Sequence, residues 1–354
     1  MNVVNINPYA FYNNVYIKNL TIDFDGIIPE YAFAGCTNIP EVNIDNNITD
    51  INADAFNGCS SLVNVTIENN GSIGEDAFYN CDSLVNATIE NNGSIGEDAF
   101  CSCGSLVNAT IKNKGDIGSY AFAYCSRLSS NLRNKGTVGS KAFYRCSKAE
   151  SLTIAPTVTS IGNEVFSYCN KIGDVTIEDR DTELKLGSNG TKPMFSDCRL
   201  DEVYIGGKIV YNTGSSYGYS PFYRNTSLRK VTITDKETTI YDNEFYGCTG
   251  LKEVRIGDGV TSFGRYAFSG CSALEAFEFG AHVKTIGEEA FSDCTAMTKM
   301  ISHNPIPPVC GTEALDDINK WECTLYVPDA AIDTYKAADS GRTSSLLRIT
   351  PLQA

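Results

Sequence analysis

The residues best equipped for chemistry in this chain of 354 are its fourteen cysteines. Paired thiols make disulfides, clustered thiolates hold zinc, and an activated thiolate is a nucleophile. The spacing favours none of these. Eleven cysteines stand three residues after a phenylalanine, opening with Phe33/Cys36, Phe56/Cys59, Phe78/Cys81, Phe100/Cys103, Phe122/Cys125 and Phe143/Cys146. Phe166/Cys169, Phe195/Cys198, Phe245/Cys248, Phe268/Cys271 and Phe291/Cys294 continue the series, and Asn14 and Asn225 take the thiol's place after Phe11 and Phe222. Cysteines in one position of successive units form a column. Neighbours about 5 Å apart then have parallel Cβ bonds, which a disulfide cannot use. Cysteine is also a common buried small hydrophobe. The column is expected to be reduced and structural.

Three cysteines lie outside it. Cys101 follows Phe100 and is expected at a coil surface. Cys310 and Cys323 bracket a C-terminal hairpin and could pair if its arms are adjacent; two free buried thiols is the favoured alternative. Cys101-x-Cys103 has neither zinc-knuckle nor thioredoxin spacing. The two histidines, His282 and His303, sit near the C-terminus, and no nucleophile elbow, zincin helix or phosphate loop is present. The paired acids Glu75-Asp76 and Glu97-Asp98 become Ser119-Tyr120 in the next unit, so they read as solvated acids at the start of a helical turn. No calcium loop occurs. No catalytic residue, metal or cofactor is expected.

The elements that position these residues are copies of one unit. Thirteen phenylalanines recur at intervals of 21 to 29 residues. Leu62, Val65 and Ile67 return as Leu84, Ala87 and Ile89, and the Val-x-Ile alternation predicts a short strand with its middle residue facing outward. Ile-Gly follows, as at Ile73-Gly74, where glycine would serve a turn by adopting backbone angles closed to other residues. A segment such as EDAF then leads to the next anchor and reads as a helical turn. One unit cannot bury its own apolar residues, but stacked units can, so the chain is a solenoid. The block ENNGSIGEDAF occurs identically at 68–78 and 90–100, which points to internal duplication.

The pattern Ile-Gly-x-x-Ala-Phe-x-x-Cys-x-x-Leu-x-x-Val-x-Ile resembles the BspA-like leucine-rich repeats of bacterial surface proteins, over essentially the whole chain. The segments NPIPPVC and CTLYVPDAAIDTYKAAD are similar to the end piece that closes such arrays. The resemblance implies an α/β-type repeat solenoid: a leucine-rich-repeat right-handed superhelix with a strand in each coil and short helical or turn segments opposite. It also implies an exported protein, extracellular or on the cell surface, involved in adhesion to host or matrix protein or to other cells. No export signal precedes the first coil; removal of a leader from a longer precursor would account for that.

The solenoid is expected over 1–303, with insertions at 178–194 and 206–221, and a capping segment over 304–354 that holds a strand at 324–327 and a short helix at 330–338. The second interruption gathers Tyr204, Tyr211, Tyr217, Tyr219 and Tyr223 among Gly and Ser, a mixture favoured in binding loops. The competing reading is that these rings pack over a coil boundary and repair the core. The outward strand positions form a polar ladder through Thr66, Thr88, Thr110, Thr176, Tyr204, Thr232 and Arg255, although threonine suits an exposed strand without any ligand. A net charge of −15 argues against nucleic acid or anionic lipid, and no apolar run is long enough to insert in a membrane. The reading is a monomeric, non-enzymatic module binding a host or matrix protein or a glycan. The alternative is a structural spacer with no ligand of its own.

Overall fold

In the computed structural model, the described residues are 2–3, 6–128, 135–187, 192–211, 220–319, 321–339 and 348–352. The chain is a parallel-strand β-solenoid of about 13 turns with very little helix. It divides into two compact units, Met1–Ile172 with Leu184–Cys198, and Gly173–Glu183 with Arg199–Ala354.

In the first unit, strands Glu41–Ile44, Asn64–Ile67, Asn86–Ile89 and Asn108–Ile111 pair in parallel and in register, so that Val42, Val65 and Ala87 share one buried row. The Ile-Gly segments stack in a second ladder, bridging Ile51, Ile73, Ile95, Ile117 and Val138 in turn. It continues through Val158–Ile161 to Leu184–Leu186, with Ile161 paired to Leu186. Residues 184–187, expected within an extended loop, thus re-enter the repeat, and the Gly187 amide donates to the Ile161 carbonyl at 2.6 Å.

Glycine is required in this ladder by crowding rather than by backbone angle. A Cβ on Gly96 would lie 2.6 Å from the carbonyl carbon of Gly74, and one on Gly118 would lie 2.5 Å from that of Gly96. Neither residue has positive φ. The preceding coil occupies the space, which corrects the expectation of a special turn conformation.

The anchor segment forms a third stack, and it is not the expected helical turn. Residues two before and two after most anchor phenylalanines are left-handed: Asp76 (φ 53°) and Asn80 (φ 59°) about Phe78, Asp98 (φ 51°) and Ser102 (φ 63°) about Phe100. Alternating peptides therefore point along the stack. Asp76, Phe78 and Asn80 amides donate to the carbonyls of Glu97, Ala99 and Cys101 in the next coil, at 2.7–3.0 Å. A helix would turn these donors back into its own segment. The left-handed residues cost of order 1 kcal/mol each, offset by a hydrogen bond and by burial of the ring. Alanine before phenylalanine is fully buried at 55, 77, 99 and 121. From Phe11 to Phe100 the phenylalanines stack in turn, from 5.3 Å at Phe11/Phe33 to 5.0 Å at Phe78/Phe100, with planes within 9° of parallel, and the stack loosens to 5.9 Å and 17° at Phe143/Phe166. Full burial of each ring is worth about 1.5–3 kcal/mol.

The cysteine column has a definite task. Each thiol donates to the carbonyl of the preceding coil's phenylalanine: Cys36 to Phe11 at 3.0 Å, Cys81 to Phe56 at 3.4 Å, Cys125 to Phe100 at 3.1 Å. In the second unit Cys248, Cys271 and Cys294 do the same at 3.3 Å. Burial raises the thiols of Cys36, Cys81, Cys125, Cys248, Cys271 and Cys294, that of Cys248 and of Cys294 to about 12, which keeps these six protonated and able to donate. None of the fourteen cysteines forms a disulfide, Cys310 and Cys323 included. Cys101, expected at the surface, is 5 % exposed.

In the second unit, strands Asp174–Ile177, Glu202–Ile205, Lys230–Ile233 and Glu253–Ile256 pair in parallel. Ala276–Phe279, Lys299–Ser302, Thr324–Val327 and Arg348–Pro351 form a further parallel sheet. The prolines 305, 307 and 308 do not interrupt the coiling, since Val309–Cys310 pairs with Thr285–Ile286 and the Phe291 amide donates to the Ala314 carbonyl at 2.9 Å. Helix Ile332–Asp339 follows a 3₁₀ turn at Asp329–Ala331. Its Tyr335 hydroxyl bonds Ser302 Oγ at 2.7 Å and donates to the Asn304 carbonyl at 3.0 Å, which closes the end of the core. The strand Arg348–Pro351, beyond that helix, was not expected from the sequence.

Candidate functional site

Period-two alternation in each strand turns Val and Ile inward and the intervening residue outward. Parallel, in-register pairing then converts a repeated outward residue into a row. In the first unit that row is Asn43, Thr66, Thr88 and Thr110. Beside it runs an amide ladder in which Asn86 Nδ2 donates to Asn64 Oδ1 at 2.7 Å and Asn108 Nδ2 donates to Asn86 Oδ1 at 2.8 Å. The asparagines thus satisfy one another along the sheet.

In the second unit the row is Thr176, Tyr204, Thr232 and Arg255. Here the surface becomes aromatic and charged. Tyr204 donates to Asp179 Oδ1 at 2.7 Å. Arg255 pairs with Glu253 at 2.7 Å, Lys230 with Glu202 at 3.0 Å and Arg229 with Asp201 at 3.5 Å. These exposed pairs contribute little stability, since water screens them. Their effect is to present alternating charges and hydrogen-bonding groups on one face.

Of the tyrosines of the second interruption, Tyr211 and Tyr223 do not lie beside Tyr204. Tyr223 stacks on Tyr246 at 5.2 Å, next to the anchor, with the Arg224 guanidinium 5.3 Å from its ring centre. Tyr211 packs on Tyr241 at 4.9 Å with its hydroxyl buried near Ser220 and Glu244. That placement matches the core-repair reading for this one ring. Tyr217 and Tyr219 lie outside the described residues.

Beneath this segment are two buried acids that the sequence reading did not single out. Glu237 Oε2 accepts the Ile209 amide at 2.9 Å, and Oε1 accepts those of Thr238 and Thr239 at 2.8 and 3.2 Å. Glu244, 1 % exposed, accepts the Tyr241 amide at 2.7 Å. Burial, with the Glu237 charge nearby, pushes the Glu244 carboxyl up to about 8. A signal was present: Glu244 directly precedes Phe245, in the slot that alanine fills in most units.

His282 Nδ1 lies 3.1 Å from the Asp258 carbonyl, and His303 Nε2 lies 2.6 Å from Glu278 Oε1. Among the described residues no group of three His, Cys, Asp or Glu could hold a metal ion, and no helix is long and apolar enough to cross a membrane. The strand rows offer hydrogen bonds, aromatic area and one guanidinium.

The sequence matches the BspA type leucine rich repeat region, in six copies, over residues 4–129, 94–218 and 215–309. The chain belongs to the BspA-type leucine-rich repeat family. This BspA-type protein is similar in structure to a leucine-rich repeat protein from Bacteroides ovatus, with a TM-score of 0.51 and 22 % identity over 99 % of this chain and 91 % of that one. It also matches a leucine rich cell surface protein from Faecalibacterium prausnitzii, with a TM-score of 0.36 and 19 % identity over 83 % of each chain. The pneumococcal vaccine antigen PcpA matches with a TM-score of 0.39 and 18 % identity, over 94 % of this chain and 86 % of that one. No curated protein matches significantly. No catalytic family is indicated for the BspA-type chain. At these identities the structural likeness establishes the fold.

Proposed function

We propose that this BspA-type chain is a non-enzymatic recognition module, secreted or held at the surface of a bacterial cell, which binds a host or matrix protein or a glycan through its strand faces. The observation carrying this reading is the row Thr176, Tyr204, Thr232 and Arg255, aligned on one sheet where the outward ladder changes from uncharged to aromatic and ionic. Tyrosine and arginine are the residues that most often dominate binding energy at protein interfaces. The rows of Thr66, Thr88 and Thr110 extend the polar surface in the first unit. Tyr217 and Tyr219 join the proposal on sequence grounds, whereas Tyr211, with its hydroxyl buried, serves the core. The family match and the surface proteins among the structural neighbours support display outside the cell. The module acts as a monomer, without metal or cofactor.

The test is a screen of the purified chain against matrix-protein and glycan arrays, repeated with the double variant Tyr204→Ser/Arg255→Ala. At least one partner should bind, and the variant should weaken it by at least tenfold, the loss of about 1.4 kcal/mol. Binding that ignores the double variant would remove the strand face from the proposal. An intact chain that binds nothing would favour a spacer that holds other segments away from a surface.

A further inference from the structure

On the anchor side of the coils, one coil of the first unit is built small. Phe78 is followed by Tyr79 and Phe122 by Ala123-Tyr124, but Phe100, between them, is followed by Cys101-Ser102. In-register stacking turns this difference into a notch. Tyr79 walls it on one side and Tyr120 and Tyr124 on the other, at a separation of roughly 10 Å, two coil spacings. Buried Cys101 lies within the lining, and Ser102 offers a hydroxyl. The cleft has a volume of about 490 Å³, within the span of roughly 300–1,000 Å³ common for small-ligand sites. Tyr124 is 43 % exposed and sits edge-on to Tyr144 at 5.6 Å, and Lys141, one coil further on, lies 5.4 Å from the ring centre of Tyr120.

The charged groups of the lining are of one kind. Asp76, Glu97 and Asp98 supply carboxylates, and no Lys, Arg or His contributes to it. Carboxylates accept hydrogen bonds and donate none when ionised, so the occupant must present donors. An acidic ligand would meet three like charges without a counter-charge. The tyrosine walls call for an occupant with broad apolar faces, and a single ammonium group would leave most of the volume empty. A pyranose ring has C–H faces to lie against the rings and hydroxyls to donate to the carboxylates at the rim.

We propose that the notch between Tyr79 and Tyr120/Tyr124, above Cys101, is a binding site for one residue of an uncharged glycan. The site shares no residue with the strand-face rows and does not depend on the partner proposed for them. Asp76 fits the same picture: burial first, and then the charges of Asp54, Asp98, Glu75 and Glu97, raise its carboxyl to about 6, a cost that hydroxyl donors would relieve.

The stack itself supplies the decisive variant. Cys101→Tyr places in this coil the side chain that Tyr79 carries at the same position one coil earlier, so the fold accommodates it while the notch fills. The full-length chain, Cys101→Tyr and Tyr124→Ser would be compared on an array of neutral hexose and N-acetylhexosamine oligosaccharides. Sialylated and uronic-acid glycans and an octalysine peptide would be included, with melting temperatures measured in parallel. The expected result is binding of a neutral oligosaccharide and of no acidic one. Affinity should fall at least tenfold in Cys101→Tyr and Tyr124→Ser at unchanged melting temperature. The proposal is overturned if no neutral glycan binds, or if binding survives both notch variants. Notch-dependent binding of octalysine alone would also overturn it, by assigning the site to a basic protein segment.

Discussion

Glu244 stands where alanine stands in most coils, and it is accommodated because Ser220 and Tyr211 line the space that the second interruption opens. Burial holds its carboxyl up to about 8, against an ordinary value of 4.5. The native state therefore keeps a proton that the unfolded chain releases above pH 4.5. Stability from this group is fully present below that value and is lost as pH rises through about 8. The span of the shift corresponds to about 4–5 kcal/mol. Glu244→Gln keeps an acceptor for the Tyr241 amide and cannot ionise. In urea titrations from pH 5 to pH 9, the wild type should lose several kcal/mol more than the variant. Equal slopes would mean that the carboxyl is solvated in the native chain. Cysteine matters at this same scale for a reason unrelated to reactivity: its thiol is a short donor that reaches the neighbouring coil's carbonyl.

At the scale of the element, the anchor turn and the Ile-Gly ladder are set by contact between coils more than by local propensity. The left-handed Asp98 and Ser102 have no reason to adopt that conformation in isolation; they do so because Phe100 and its flanking amides find carbonyls one coil away. Gly96 obeys the same rule, since an added Cβ would meet Gly74 at 2.6 Å, while Gly104 has nothing within 4 Å of its would-be Cβ. Gly96→Ala should then cost about 1–3 kcal/mol, as overpacking against backbone does, and Gly104→Ala should leave the unfolding midpoint nearly unchanged. Equal effects from the two substitutions, measured by urea denaturation, would refute close approach as the reason for glycine.

At the scale of the whole molecule, each coil contacts chiefly its neighbours, so stability is close to a sum of coil and interface contributions. The identical blocks at 68–78 and 90–100 allow this to be tested cleanly. Excision of residues 79–100 removes one complete coil and joins Phe78 to Cys101 with the preceding sequence unchanged. The shortened chain should remain folded, with the same circular dichroism per residue and a modestly lower melting temperature. Collapse of the fold would show that this coil holds contacts that its neighbours cannot replace. The cap works by the same logic, as Tyr335 on its helix bonds Ser302 and Asn304 and covers the last buried side chains.

The periodic residues determine a good deal by themselves. Thirteen phenylalanines, the Val-x-Ile alternation and eleven cysteines in one slot suffice to predict a solenoid of parallel strands with an inward apolar row, because stacking identical coils is the one arrangement that buries them all. The outward row was legible for the same reason, since period two and fixed register leave no freedom in which side chain faces out. Three things depended on the tertiary structure. The anchor turn is left-handed at alternate residues instead of helical, because its hydrogen-bond partners are supplied by another coil. Tyr211 turned its hydroxyl inward while Tyr204 remained on the sheet, as spacing alone does not tell a ring that fills a gap from one that faces solvent. The notch above Cys101 exists only between coils: a small residue in one copy becomes a cavity when the coils on both sides set tyrosines around it.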